Sequence, residues 1–122
     1  MKKDLTCEER IDKNLRERIL EIEEVIKLYE CSNDGHFIYD DCEYEDLIDW
    51  FNQWALSYED DSHYRAKRLE LSTGGPADGF LFFEDGTIEY YFQDWFDGAK
   101  RELYGRDKEI MQKLYDYCLN VD

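Results

Sequence analysis

The chain predicts an α+β fold: two N-terminal helices, an antiparallel meander of three to four strands, and a C-terminal helix. Three observations predict it. Apolar residues recur at helical spacing through the first quarter of the 122 residues. Two strand-like runs flank Asp85-Gly86, a strong short hairpin signal. A last helical stripe, Ile110, Met111, Leu114, Tyr115 and Cys118, follows Asp107.

The elements are expected in this order. Thr6 and Glu9 form a capping-box pair, and Ile11, Leu15, Ile19, Ile22, Val25, Ile26 and Tyr29 continue a helix over about 7–31. Gly35 offers a stop with positive φ. Residues 36–42 fit either a short strand or a loop. A second helix is expected over roughly 44–57, with Leu47, Phe51, Trp54 and Tyr58 on one face, Glu45, Asp46, Asp49 and Gln53 on the other, and Trp50 at the border. Tyr64–Leu71 alternates as a strand. The runs 80–84 and 87–93 form the hairpin, and 99–104 a further strand. With a two-residue turn at Asp85-Gly86, Phe83 pairs with Ile88 and Leu81 with Tyr90. That arrangement gives Leu81, Phe83, Ile88, Tyr90 and Phe92 the core face, and Phe80, Phe82, Glu89 and Tyr91 the other. Asp107 is expected to cap the last helix.

Length and composition fit one domain, 1–122. At 43% apolar and 16% aromatic residues the chain can bury a core. No run of about 18 apolar residues suggests a membrane span, and the start, MKKDLTCEER, lacks the apolar stretch of a secretory signal. The expectation is a cytoplasmic protein with reduced, mostly buried cysteines (Cys7, Cys31, Cys42, Cys118) and no cofactor or metal.

Charge is the strongest compositional signal. The net charge is −16, and residues 31–61 carry ten acids with no Lys or Arg. Such a field repels nucleic acid and anionic membranes and attracts basic protein surfaces. Asp40, Asp41 and Glu43 precede the second helix, Glu45, Asp46 and Asp49 lie on it, and Glu59, Asp60 and Asp61 follow it. Acids past a helix C-terminus oppose the helix dipole, so folding does not account for the last three. Carboxylates spaced along a helix and its flanks can take the places of phosphates in a Lys/Arg-lined groove. Trp50 and Tyr58 among them would serve as anchors.

Other chemistry fits less well. Gly74-Gly75 matches no nucleotide-binding pattern and has no lysine placed for a phosphate, so the GGP segment reads as a turn. Cys31 or Cys42 with His36 lacks an oxyanion loop. The acidic clusters do not follow an EF-hand pattern. A small hydrolase using Asp94 or Asp97 is the enzymatic alternative. An immunity, antitoxin-like or anti-restriction protein that neutralises another basic protein is the binding alternative.

Residues 71–80, LSTGGPADGF, continued by EYYFQDWFDGA at 89–99, resemble small acidic proteins of phages and bacterial mobile elements, among which anti-CRISPR proteins occur. The likeness covers about residues 69–99. It implies a non-enzymatic protein that binds a Cas effector and blocks recognition of target DNA, often at the Arg- and Lys-rich surface that reads the PAM. The expected contact residues are Asp40, Asp41, Glu43, Glu45, Asp46, Asp49, Trp50, Tyr58, Glu59, Asp60 and Asp61.

Overall fold

The computed structural model describes residues 6–62, 65–74, 76–94 and 96–119. The elements in chain order are helix α1 (Cys7–Cys31), strands β1 (Phe37–Tyr39) and β2 (Cys42–Tyr44), helix α2 (Leu47–Trp54), strands β3 (Ser57–Asp61), β4 (Ala66–Ser72), β5 (Ala77–Phe83), β6 (Ile88–Asp94) and β7 (Asp97–Glu102), and helix α3 (Gly105–Leu114), which ends in a π-helical turn (Tyr115–Leu119). The class is α+β, with a five-stranded antiparallel sheet in the order β3-β4-β5-β6-β7 and a separate β1-β2 hairpin. The chain divides into two compact units: residues up to Arg16 with Ala55–Leu103, and Glu17–Trp54 with the residues from Tyr104 onward.

The first unit is the sheet with the opening turns of α1. The capping box forms as its sequence requires: Glu9 N–H donates to Thr6 Oγ1 at 3.2 Å, and Thr6 N–H donates to Glu9 Oε1 at 3.0 Å. The helix start is tied to the far end of the sheet. Cys7 N–H donates to Asp97 Oδ2 at 2.7 Å, Arg10 pairs with Asp94 at 2.7 Å and lies 4.8 Å from the Phe92 ring centre, and Arg101 bonds Glu8 and Asp12. Cys7, Ile11 and Leu15 are buried beneath these contacts.

The β5–β6 hairpin differs from expectation. Its loop has three residues, Glu84, Asp85 and Gly86. Phe83 N–H donates to Thr87 O at 2.8 Å, and Gly86 N–H donates to Phe83 O at 3.0 Å. Gly86 takes φ +94°, the left-handed position such a loop needs, and Asp85 Oδ1 accepts from Thr87 N–H. The extra loop residue moves the register by one, so Phe82 pairs with Ile88 and Phe80 with Tyr90. Because side chains alternate with period two, β5 turns over. Phe80 and Phe82 join Ile88, Tyr90 and Phe92 on the core face, and Leu81 and Phe83 join Tyr91 on the other.

That other face covers itself. Ala66, Leu81 and Tyr91 are buried there, with Phe83 packed against them. Arg68 lies 5.2 Å from the Tyr91 ring centre and bonds Asp61. At the opposite position from Tyr91 stands Gly79. A Cβ on Gly79 would collide with Leu69 O and sit 2.6 Å from Tyr91 Oη. The crowding arises beside a bulge, where the β4–β5 register shifts between Glu70 and Ser72.

Gly74 and Pro76 of the GGP segment lie between β4 and β5. Asp78, 4% exposed, accepts from Ser72 Oγ at 2.5 Å and from Tyr90 Oη at 2.6 Å, which ties the turn to the core. Ser72 Oγ is also 3.3 Å from Pro76 O, and Gly74 has φ +95°. Gly75 lies outside the described residues, as do Tyr64 of the expected strand and His63.

The second unit buries Ile19, Ile22, Val25 and Ile26 of α1, Phe37, Leu47, Trp50 and Phe51, and Ile110, Met111, Leu114, Cys118 and Leu119. Gly35 takes φ +88° after α1. Arg106 bonds Glu23, Lys113 bonds Glu30 at 3.2 Å, and Tyr117 Oη donates to Glu30 at 2.6 Å. Helix α3 begins at Gly105, two residues before the expected cap. Tyr104 precedes it with no side-chain cap, and Asp107 lies in the first turn, where the helix dipole favours an acid.

The sheet and its helix clamp can be probed separately. Gly79→Ala should lower stability by at least about 2 kcal/mol in urea unfolding, since the methyl meets backbone oxygen in a packed sheet. The bond from Cys7 N–H holds the Asp97 carboxyl below its ordinary value. A carboxyl lowered on folding contributes stability that is present above its unfolded pKa, about 3.9, and is lost as pH falls through the lowered value. Asp97→Asn should therefore be less stable than the parent at pH 7 and lose less stability between about pH 5 and pH 3, measured by the unfolding midpoint at each pH.

Candidate partner-binding surface

The acidic residues singled out by charge divide between the two units and between three local jobs. Asp40, Asp41, Glu43, Glu45, Asp46 and Asp49 belong to the second unit; Glu59, Asp60 and Asp61 belong to the first.

Residues 36–42, open between strand and loop in the sequence, contribute to the β1–β2 hairpin, with Phe37 paired to Tyr44 and Tyr39 to Cys42. Asp40 and Asp41 form its two-residue turn, both left-handed at φ 51° and 62°. A two-residue hairpin turn of type I′ demands positive φ at both positions, and Asp tolerates it better than most residues. These aspartates are therefore turn residues and not part of a helix start. His36 Nε2 and Glu43 Oε1 meet at 2.6 Å. Asp34 Oδ1 accepts from His36 N–H and Ser32 Oγ, and the first of these bonds holds its carboxyl below the ordinary range.

Helix α2 spans Leu47–Trp54, shorter at both ends than 44–57. Its start is set by Asp46, whose Oδ1 accepts from Asp49 N–H at 2.8 Å, while Asp49 Oδ2 accepts from Glu45 N–H at 3.0 Å. Asp46 is the N-cap, and Asp49 reaches back like the second member of a capping box. Trp50, expected at the border of the helix as an anchor, is 2% exposed and stacked on Trp54 at 4.7 Å, so it is core. Trp54 Nε1–H donates to Glu21 at 2.7 Å.

The residues beyond α2 are a strand and not helix end or loop. Strand β3 edges the large sheet, with Glu59 opposite Arg68, Asp60 opposite Lys67 and Asp61 opposite Ala66. Arg68 donates to Asp61 Oδ2 from Nε at 3.1 Å and from Nη2 at 2.8 Å. Opposite charges across a strand pair stabilise it, and charge on an edge strand discourages pairing with another chain. Glu59, Asp60 and Asp61 therefore have a folding role that helix logic could not supply. Tyr58 faces Leu69 across the pair, its hydroxyl is buried, and Lys67 Nζ stands 6.0 Å from its ring. It is not an exposed anchor.

Asp40, Asp41, Glu43, Glu45 and Asp46 are exposed, as are Glu59 and Asp60; Asp49 and Asp61 are half-buried. The first five run consecutively over a hairpin and the approach to α2. Among the described residues, His36 is the basic side chain paired into that run. Ile38 stands beside it, 62% exposed.

The residues considered for catalysis are otherwise engaged. Asp94 and Asp97 hold the start of α1, and His36 is bound to Glu43. Cys7 and Cys118 are buried, whereas Cys31 and Cys42 are exposed, so burial covers half of the cysteines and not most. Burial pushes the Cys118 thiol up to about 12. Among the described residues no group of three His, Cys, Asp or Glu side chains is placed to hold a metal ion, and no helix is long and apolar enough to cross a membrane. No family model matches the chain, and no curated protein or solved structure matches it significantly.

Capping separates the structural from the surface role of Asp46. Asp46→Ala should cost about 1 kcal/mol of stability, and Asp46→Asn only a few tenths of that, because an amide oxygen caps as well as a carboxylate. Thermal unfolding of the two variants side by side reads the difference.

Proposed function

We propose that this chain is a non-enzymatic acidic inhibitor that acts in the cytoplasm of a bacterial host. It would dock as a DNA mimic on the basic DNA-reading surface of a defence protein, a CRISPR–Cas effector first among them, and block recognition of target DNA and PAM. The observation that carries the reading is the exposed run Asp40, Asp41, Glu43, Glu45 and Asp46 in one unit. Two of these carboxylates are displayed by a tight turn and one by a helix cap, so the charges are presented on ordered backbone. A groove that binds DNA through Lys and Arg contacts to phosphates gains much of its affinity from charge alone, and arginines that read a PAM are charged donors open to carboxylates. The likeness of residues 69–99 to mobile-element proteins points to the same class of target.

The turn and cap roles dictate which substitutions test the proposal. Asp40→Asn, Asp41→Asn, Glu43→Gln and Glu45→Gln combined remove four charges while keeping residues that tolerate the turn. In a mobility-shift assay with reconstituted Cas effectors and their target DNA, the parent chain should prevent DNA binding by at least one effector, and less so as salt rises. The quadruple variant should require about tenfold more protein or above, on roughly 0.2–1 kcal/mol for each exposed charge. Inhibition that is unchanged in the variant would remove the mimic mechanism. Inhibition of a restriction enzyme or a basic toxin with no effect on any Cas effector would move the target to those classes.

A further inference from the structure

Beside the acidic run, the second unit holds a groove of about 480 Å³ lined by Glu24, Leu28, Ile38, Tyr39 and Asp40. Glu24 and Leu28 come from α1, Ile38 and Tyr39 from β1, and Asp40 from the hairpin turn. These lining residues are apolar, aromatic and acidic, and none is basic. Ile38 is 62% exposed, and Leu20, one turn before Glu24 on α1, is 53% exposed. Leu20, Glu24 and Leu28 fall on one stripe of the helix. Leu28 is half-buried there, and Ile38 keeps most of its surface open beside two carboxylates.

We infer that this groove receives an arginine side chain of the partner. The three-carbon stem would lie on Leu28 and Ile38, the guanidinium would stack on the Tyr39 ring, and Glu24 and Asp40 would accept its N–H groups. Arginine suits the groove better than lysine, because its plane stacks on an aromatic ring, its fork meets carboxylates in pairs, and it is more weakly hydrated. A divalent cation suits it less, since such ions take six or more oxygen ligands and the lining side chains offer two carboxylates. Burial, together with the charges of Glu21, Glu24 and Asp40, holds the Tyr39 hydroxyl protonated above its ordinary range. The same negative field draws a cation over the ring. The identity of the arginine's owner rests on the function proposed above; the chemistry of the groove does not.

The test is a titration of the full chain with the peptide acetyl-Gly-Arg-Gly-amide, followed by amide and methyl NMR, beside the lysine and citrulline peptides. Saturable shifts are expected at Leu28, Ile38 and Tyr39 with the arginine peptide. Binding should be several-fold weaker with lysine and lost with citrulline, which keeps the shape without the charge. Glu24→Gln and Asp40→Asn should each weaken binding about fivefold, with spectra elsewhere unchanged. Shifts spread evenly over all the acids, equal binding of lysine and arginine, or no effect of Glu24→Gln would overturn the inference. Failure of the groove and failure of the mimic reading are distinguishable, because Glu24 lies outside the four positions neutralised in the mobility-shift assay. Arginine binding in the groove without inhibition of any DNA-binding protein would end the mimic reading and leave the groove. Inhibition that survives Glu24→Gln together with Leu28→Ser would end the groove and leave the mimic reading.

Discussion

The register of β5 against β6 is set by the three-residue loop Glu84-Asp85-Gly86, and the packing of the sheet follows from it. With Gly86 left-handed at the end of the loop, Phe83 meets Thr87, and every residue of β5 takes the side opposite to the one a two-residue turn would give it. Phe80 and Phe82 then enter the layer that contains Ile88, Tyr90 and Phe92, with Phe80 and Tyr90 in ring contact at 5.0 Å. Burial of one such side chain contributes about 1.5–3 kcal/mol, and a slip of one residue would take both Phe80 and Phe82 out of that layer. The Asp78 carboxylate, held by Tyr90 and Ser72, secures the neighbouring β4–β5 turn to this layer. Arg10 on Phe92 secures the helix to it.

On the opposite face of the sheet, strand side chains pack on one another. Tyr91 fills the space left by the missing side chain of Gly79, Leu81 and Ala66 flank it, and Arg68 lies across the ring while bonded to Asp61. The long stem of an arginine can cover apolar surface while its head stays at water. Asp61 thus supports both the edge strand and the arginine that shields the aromatic cluster. An acid that reads as surplus charge in one dimension is part of the packing in three.

The same contrast sorts the base-free segment. Between residues 31 and 61 no Lys or Arg occurs, yet β4 sets Lys67 and Arg68 directly across from Asp60 and Glu59. There Arg68 bonds Asp61, while Glu59 and Asp60 stay exposed. On the hairpin and the approach to α2, Asp40, Asp41, Glu43, Glu45 and Asp46 are exposed, with His36 bonded to Glu43. The second unit therefore carries five of the seven exposed acids of this segment's candidate set, and the groove lined by Asp40 belongs to it.

Local signals were legible because they depend on neighbours in sequence. The Thr6–Glu9 box, the apolar spacing along α1, the positive φ of Gly35, and the inward stripe of α3 are all set within one or two turns of chain. The GGP segment likewise reads as a turn from its own residues, and only the bond of nearby Asp78 to Tyr90 lies out of view. Three features needed the tertiary structure. The register of β5 depended on whether Asp85-Gly86 was the whole loop or its last two residues, which local preference leaves open. Strand β3 was hidden because its residues, SYEDD, are poor strand formers that gain their place from Lys67, Arg68 and Leu69 across the pair. The exposure of Ile38 and the burial of Trp50 and Tyr58 depended on which faces other elements covered. The sequence alone determined how much negative charge the protein carries and the type of most of its elements, because composition and short-range periodicity do not depend on distant contacts. Only the tertiary structure decided which acids are paired and which face outward, because the pairing cations, such as Arg68 for Asp61 and Lys113 for Glu30, come from other elements.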